Sequence, residues 1–326
     1  MEMSAKIKAE LIEAGGVEID DSFLPFLSRS TAGPGAGLSS FFFNSGGKRV
    51  RLGVRQKSTY KAVMDRGEVI IYKNGKELVR GALEEAISHC PGQVYVTVSE
   101  KCVFDCKYCP VPKLDGRIKS KEEVIKMATE GSKHSSFHAI SLTSGVWTSP
   151  EDEIERVADI VKDLKIFNVP IGVSVYPTDN SSEILKEAGA VEVKYNVEVV
   201  DPGIFDKVCP GLSLDYIIKA LEHAVPIFGR NHVFSNILVG LGESDETIIK
   251  GIELLASKGI IPILRKVNPH PLRAGEVYTE NVPAERLLKL ASEEKKILEK
   301  YGLRADLALT GCLPCTGCDL VPQRDL

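Results

Sequence analysis

The chain has 326 residues, 43% of them hydrophobic and 26% charged, with a formal net charge of −4. That length serves one large α/β domain or two ordinary ones. The charge lacks the basic excess of a nucleic-acid binder, and no apolar run approaches the ~20 residues that cross a bilayer. The opening "MEMSAKIKAELIEAGG" reads as an amphipathic helix rather than a secretory leader with an apolar core. A cytoplasmic protein with neither nucleic acid nor membrane as partner is expected.

Residues 1–92 read as an N-terminal extension. "STAGPGAGLSS" is a Gly/Ser/Pro loop, and "GEVIIYKNGKELVR" alternates apolar residues around Asn74-Gly75, a hairpin signal because that pair takes the positive φ of a type I′ turn. A helix and a small hairpin are expected there.

From residue 93 the pattern alternates. "QVYVTVS", "FHAISLT", "VPIGVSVY", "AVEVKYNVEV", "HVFSNILVGLG" and "IIPILRKVNP" are strand candidates, separated by helical stretches such as "SPEDEIERVADIVKDL" and "SDETIIKGIELLASKG". The last long helix is "PAERLLKLASEEKKILEKYG". Six strands alternating with helices predict a parallel α/β sheet over residues 93–308, either doubly wound or a partial or full (β/α) barrel. In both, chemistry gathers beyond the C-terminal ends of the strands.

Eight cysteines are present, and six fall in two tight groups. A disulfide framework belongs to shorter secreted chains with scattered cysteines, so the grouping points to metal or redox chemistry. Cys102, Cys106 and Cys109 stand at C-x₃-C-x₂-C spacing directly after the first strand candidate, with Tyr108 before the last thiol. Three thiolates suit zinc or an iron–sulfur cluster, and a closed zinc site would want a fourth ligand that is not nearby.

This motif, in that loop, resembles the signature of the radical S-adenosylmethionine (SAM) enzymes, in the branch of biotin and lipoyl synthases. The resemblance covers residues ~93–310 and implies a radical SAM barrel. It implies a [4Fe–4S] cluster on Cys102, Cys106 and Cys109, whose open iron chelates SAM and whose electron cleaves it to methionine and a 5′-deoxyadenosyl radical. Carried along the barrel, it implies cofactor contacts at Tyr108, at Thr143, Ser144 and Gly145, at Asn196 and Glu198, and at Gly240 and Gly242. "TSG" lacks the acidic residue that the family has at this turn, so a backbone contact to SAM is expected there. "GLGE", ending at Glu243, reads equally as an ordinary strand-to-helix turn.

Residues 309–326 form a tail carrying "CLPCTGC". Cys312, Cys315 and Cys318 begin the bacterial ferredoxin run C-x₂-C-x₂-C-x₃-C-P, but its fourth position is Pro322. The readings are an auxiliary [4Fe–4S] cluster, a zinc site completed by Cys90, Cys209 or a histidine, and a redox C-x-x-C pair. In the branch resembled, an auxiliary cluster facing the substrate often donates sulfur, a task that suits incomplete cysteine ligation. Cys90, Cys209 and His270 carry no clear role, and the last reads best as a loop-stabilising residue. Arg265, Lys266 and Arg273 are either surface charges or partners of a carboxylate.

The resemblance thus implies a sulfurtransferase that turns an octanoyl-lysyl chain into lipoyl. It implies a low-potential electron donor, a lipoyl-domain substrate and, if the chain is a subunit of the archaeal-type two-component lipoyl synthase, a second radical SAM protein. The alternatives are a maturase-like or rearrangement enzyme whose auxiliary cluster survives turnover, and an iron–sulfur carrier.

Overall fold

The computed structural model describes residues 2–29 and 36–326, so much of the Gly/Ser/Pro loop lies outside the described residues. The N-terminal part holds more sheet than one hairpin. Helix α1 (Ala5–Ala14) is capped by Ser4, whose hydroxyl accepts the Ile7 N–H. Seven strands follow: β1 (Gly16–Val17), β2 (Ser28–Arg29), β3 (Ser39–Ser45), β4 (Lys48–Val54), β5 (Tyr60–Asp65), β6 (Glu68–Lys73) and β7 (Lys76–Glu84). They run in the order β1-β4-β3-β7-β6-β5, with β2 beside β3. A bridge between Glu18 and Lys61 brings the two edges together. Asn74 and Gly75, both at positive φ, turn β6 into β7. The run "FFF" shows why the sheet has two faces: alternate side chains point oppositely. Phe41 and Phe43 enter the main core, while Phe42 joins a separate small cluster with Cys90 and Cys315.

The remainder is a six-stranded parallel sheet of β8 (Gln93–Thr97), β9 (Ala139–Thr143), β10 (Ile171–Ser174), β11 (Glu192–Lys194), β12 (Val233–Val239) and β13 (Ile261–Lys266). Its spatial order is its chain order. A doubly wound sheet would reverse direction at a switch point. Here every crossover steps the same way, and right-handed crossovers then put the helices on one face and curl the sheet. Helices α2 (Lys121–Gly131), α3 (Pro150–Leu164), α4 (Ser181–Ala188), α5 (Pro202–Val208), α6 (Leu214–Phe228), α7 (Asp245–Ser257) and α8 (Ala284–Lys300) occupy the crossovers and the last return; α2 packs on α3, α3 on α4, α4 on α6 and α7 on α8. The result is an open half-barrel.

Strand β11 is shorter than its apolar stretch suggests. After Lys194 the chain leaves the regular ladder: Val199 N–H donates to the Val197 carbonyl at 2.6 Å, and Glu198 between them takes φ of 59°. Parallel register puts partnered residues on the same face. Tyr95 pairs with Ser141, Ser141 with Gly172, and Gly172 with Glu192. The same face carries Gln93, Thr97, Thr143, Ser174, Lys194, Asn236 and Arg265. A barrel interior is usually a layered apolar core, whereas this one is lined with polar groups.

Candidate active site

The loop after β8 carries Cys102, Cys106 and Cys109, all half-buried. Its shape is fixed by backbone. The Val103 N–H donates to the Val146 carbonyl (2.8 Å), Lys107 N–H to Val208 (2.8 Å) and Cys109 N–H to Cys106 (3.0 Å). The Val146 N–H in turn donates to the Cys102 sulfur at 3.4 Å. Arg273, 3% exposed, clamps the loop: its Nε donates to the Cys109 carbonyl at 2.7 Å, and its guanidinium pairs with Asp105 and Glu276. Arg273 is therefore a loop-positioning residue, already occupied. Burial raises the Cys102 thiol and pushes Cys109 up to about 12. A hydrogen bond from Cys209 lowers Cys106. Three thiols presented from one ordered loop, with an N–H already aimed at one sulfur, suit a [4Fe–4S] cluster. Tyr108 is buried behind this loop, its hydroxyl 3.9 Å from the Cys209 sulfur.

The turn after β9 is braced from beneath. The Ser144 and Gly145 N–H groups are already used, donating to Ser174 (3.1 Å) and Ser99 (2.9 Å) carbonyls. Contact with a ligand's amino group would therefore fall to carbonyls. Glu153 of α3, 2% exposed, lies beneath this turn and accepts from the Ser99 and Ser144 hydroxyls at 2.8 and 2.5 Å. A Cβ at Gly145 would overlap the Lys101 carbonyl of the thiol loop, so glycine allows the two segments to touch. Thr143 is half-buried on the inner face.

Asn196 receives the Asn236 N–H at 3.2 Å and hydrogen-bonds to Glu198, whose carboxyl is raised to about 7 by burial, opposed by Lys194 and Arg265. The same carboxyl acts electrostatically on Cys106, Tyr108 and Cys109. After β12, Glu243 folds back onto its own turn, accepting the Gly240 and Leu241 N–H groups at 2.6 and 2.8 Å, with Gly240 and Gly242 at positive φ. Glu243 is thus a cap, while Gly242 stays open beneath the exposed Tyr278 ring. His270 caps the turn at Pro271–Arg273 and meets the Ala36 carbonyl, a loop-stabilising role.

The tail enters the half-barrel from the N-terminal ends of the strands. Glu192 accepts the Leu309 and Thr310 N–H groups, each at 2.8 Å, and Gln93 exchanges two hydrogen bonds with Gly311. Cys312 thereby stands in the interior, 3.8 Å from Lys194 Nζ, beside a cavity of about 30 Å³ that Tyr95, Ser174, Lys194 and Ile263 help to line. Helix α9 (Cys312–Cys315) closes the first turn of the motif. The N-terminal part seals it from outside: Lys8 pairs with Asp325 at 2.7 Å and donates to the Thr316 carbonyl, Arg49 donates to the Cys315 carbonyl, and Arg51 N–H donates to Gly317. Arg265 is held bidentately by Asp319, at 3.0 and 2.5 Å. Lys266 reaches the Glu13 carbonyl and Asn268 rather than the interior. Cys90 packs with Cys315 and Phe42 in a small buried cluster, while Cys209, at the end of α5, lies against Tyr108 of the first loop. Among the described residues, no three His, Cys, Asp or Glu side chains close around a single-ion point. No helix among them is long and apolar enough to cross a membrane.

Sequence reasoning missed Glu153, Arg273's clamp and the cationic lining of the tail. Polar residues at alternate strand positions (Gln93, Tyr95, Thr97; Ser141, Thr143; Glu192, Lys194) were the available signal, since they mark an interior built to hold something polar.

Residues 96–255 match the Radical SAM superfamily. The chain is 27% identical over 219 residues to bacteriochlorophyllide c C-7(1)-hydroxylase of Chlorobaculum limnaeum, covering 61% of this chain and 52% of that one. It is 23% identical over 184 residues to lipoyl synthase of Glaesserella parasuis serovar 5 (strain SH0165), covering 55% of this chain and 57% of that one. The chain thus spans a little over half the length of these relatives. Crystalline methylornithine synthase shares the fold with a TM-score of 0.53 at 19% identity, over 67% of this chain and 74% of that one. The thiol loop after β8 lies within the matched segment, and the tail lies outside it. The chain therefore carries a radical SAM domain over residues 96–255, and that family implies a [4Fe–4S] cluster and SAM as cofactors.

Proposed function

We propose that this chain is a radical SAM sulfurtransferase that inserts sulfur into an alkyl chain, with an octanoyl-lysyl group on a lipoyl domain as substrate. The observation that carries the reading is the placement of the tail. Cys312 lies inside the half-barrel next to Lys194, and Glu198 acts on Lys194 on one side and on Cys106 and Cys109 on the other. Cys312 from the N-terminal ends of the strands and the Cys102–Cys109 loop from their C-terminal side thus flank one polar-lined half-barrel, an arrangement that suits transfer from one set to a substrate activated at the other. Similarity to a lipoyl synthase supports the same class.

When bound, a cluster on Cys102, Cys106 and Cys109 would supply the electron that splits SAM, and a second [4Fe–4S] cluster on Cys312, Cys315 and Cys318 would supply sulfide. The chain's own part is positional. Arg273 and the backbone ladder hold the first loop. Glu153 stiffens the turn that faces it. Glu192, Gln93 and Lys8 fix the tail. The reaction needs a low-potential electron donor, and a second radical SAM subunit is a candidate partner.

The test is an anaerobic assay with SAM, reductant and an octanoyl-lysyl peptide, with and without a candidate partner. Expected is a peptide that gains sulfur in place of hydrogen, with 5′-deoxyadenosine formed and acid-labile sulfide lost from the protein. Production of 5′-deoxyadenosine with sulfide unchanged over a turnover would overturn sulfur donation and favour rearrangement or maturase-like chemistry on the same domain.

A further inference from the structure

The tail motif supplies three thiols and then reaches Pro322 where a fourth would stand. The fold brings a fourth from elsewhere. Cys90, in the loop between β7 and β8, is 1% exposed and packs beside Cys315. With Cys315 and Phe42 it makes a small buried cluster apart from the main core, and Cys312 lies within its electrostatic reach. Its position is not incidental. The Cys90 carbonyl accepts the Ile87 N–H at 3.2 Å, and Cys90 bridges to Gln93, whose side chain grips Gly311 directly before Cys312. One short stretch therefore sets both Cys90 and the entry of the tail. Cys209, the other cysteine outside the two motifs, is committed to Cys106 and Tyr108.

The charge around these thiols is of the complementary sign. Arg49 and Arg265 are paired with Glu84 and Asp319. Arg51 and Lys194 have no carboxylate partner among the described residues. Lys194 Nζ instead approaches the Cys312 sulfur, and one guanidinium nitrogen of Arg51 is buried with no hydrogen-bond acceptor. Both side chains are half-buried and make no carboxylate ion pair, so an anionic group beside them would be stabilised by both charges. Four thiolates around an oxidised [4Fe–4S] core carry a net charge of about −2, which these two would balance.

We propose that Cys90 is the fourth ligand of the tail site, so that Cys90, Cys312, Cys315 and Cys318 hold one iron–sulfur cluster, with Arg51 and Lys194 as its counter-charges. This rests on reading the tail as a cluster site. It replaces an incompletely cysteine-ligated cluster with a fully ligated one. The corner held by Cys90 comes from a separate loop and is the one that can be released while the three tail thiolates stay in place.

The test uses the full chain with Cys102, Cys106 and Cys109 changed to Ala, purified and reconstituted without oxygen, so that all bound iron reports on the tail. Iron, zinc and acid-labile sulfide are counted and Mössbauer spectra recorded. The parent is expected to hold ~4 iron. C90A should hold at least two-fold less, or a three-iron cluster, and C209A should hold as much as the parent. C90S, a milder change, should keep more iron than C90A but shift the spectrum of one iron site, which a mere folding defect would not do. Iron content and spectra of C90A and C90S identical to the parent would overturn the assignment. One zinc per parent chain, lost in C90A, would uphold Cys90 as a ligand while overturning the sulfur-donor reading. A parent that binds neither metal would overturn both.

Discussion

The two thiol sets of this chain are built by opposite routes. Cys102, Cys106 and Cys109 lie on one continuous loop whose shape comes from its own backbone and from contacts within the half-barrel. The tail set is assembled from distant parts: α1 through Lys8, β4 through Arg49 and Arg51, and the inner face of the sheet through Gln93 and Glu192. Their electrostatics differ too. Glu153, Glu198 and the carboxylate-paired Arg273 lie near the first set, whereas Arg49, Arg51, Arg265 and Lys194, with Asp319 on Arg265, lie near the second. The first set draws its support from the half-barrel alone and can survive damage to the N-terminal part. A site built from long-range contacts fails when any one of them is removed.

The sharpest way to break the comparison is the buried pair Lys8–Asp325, whose side chains are 0% and 2% exposed. Asp325→Ala strands the Lys8 ammonium and also frees the Val321 N–H. A cost of about 3–5 kcal/mol is expected by denaturant unfolding, with iron lost from the tail set before the first. Replacing both partners by apolar residues of similar volume should recover most of that stability. Equal iron loss from both sets in Asp325→Ala would show that the tail is not built separately. Next in size is a pair of glycines, one for each site. A Cβ at Gly172 would overlap Thr310 Oγ1, and one at Gly145 would overlap the Lys101 carbonyl. Each alanine should cost about 1–3 kcal/mol, the Gly145 change more because backbone yields less readily. Gly172→Ala should deplete the tail set and spare 5′-deoxyadenosine formation, and Gly145→Ala should do the reverse. Arg273→Lys keeps the charge but loses the fork that spans Cys109, Asp105 and Glu276. A cost of about 1–2 kcal/mol should appear as several-fold faster iron loss to a chelator from the first set alone.

What could be read from the sequence follows the same division. The first thiol loop, the six parallel strands and the Asn74-Gly75 turn depend on neighbours in sequence, and local pattern exposes them. Helix α5 was missed because its seven residues, opened by Asp201, are too few for a period to show. Strands β1 and β2 have two residues each and exist only through pairing with β4 and β3. The partnership of Cys90 with Cys315 joins segments far apart in the chain, and no spacing rule reaches that far. Glu153 looked like an ordinary acid in the first turn of a helix, and Arg273 like a solvated charge. Each gained its role only when the fold brought Ser144 to one and Cys109 to the other.

The seam between the N-terminal part and the half-barrel is open to a test by pH. Lys266 is 8% exposed and donates to the Glu13 carbonyl at 2.9 Å and to Asn268 at 3.0 Å. Burial, with help from nearby Arg55, lowers its ammonium from 10.5 to about 8. Between those two values the unfolded chain holds a proton that the folded chain has released. Raising the pH through that window therefore stabilises the fold, and below it the full penalty of a buried charge applies. The contribution is on the order of 3 kcal/mol. Lys266→Met removes the penalty at neutral pH, so its stability relative to the natural chain should be most favourable near pH 7.5 and decline towards pH 10. Parallel pH profiles for the two chains would show that Lys266 stays charged, and that the seam tolerates an ammonium where α1 meets β13.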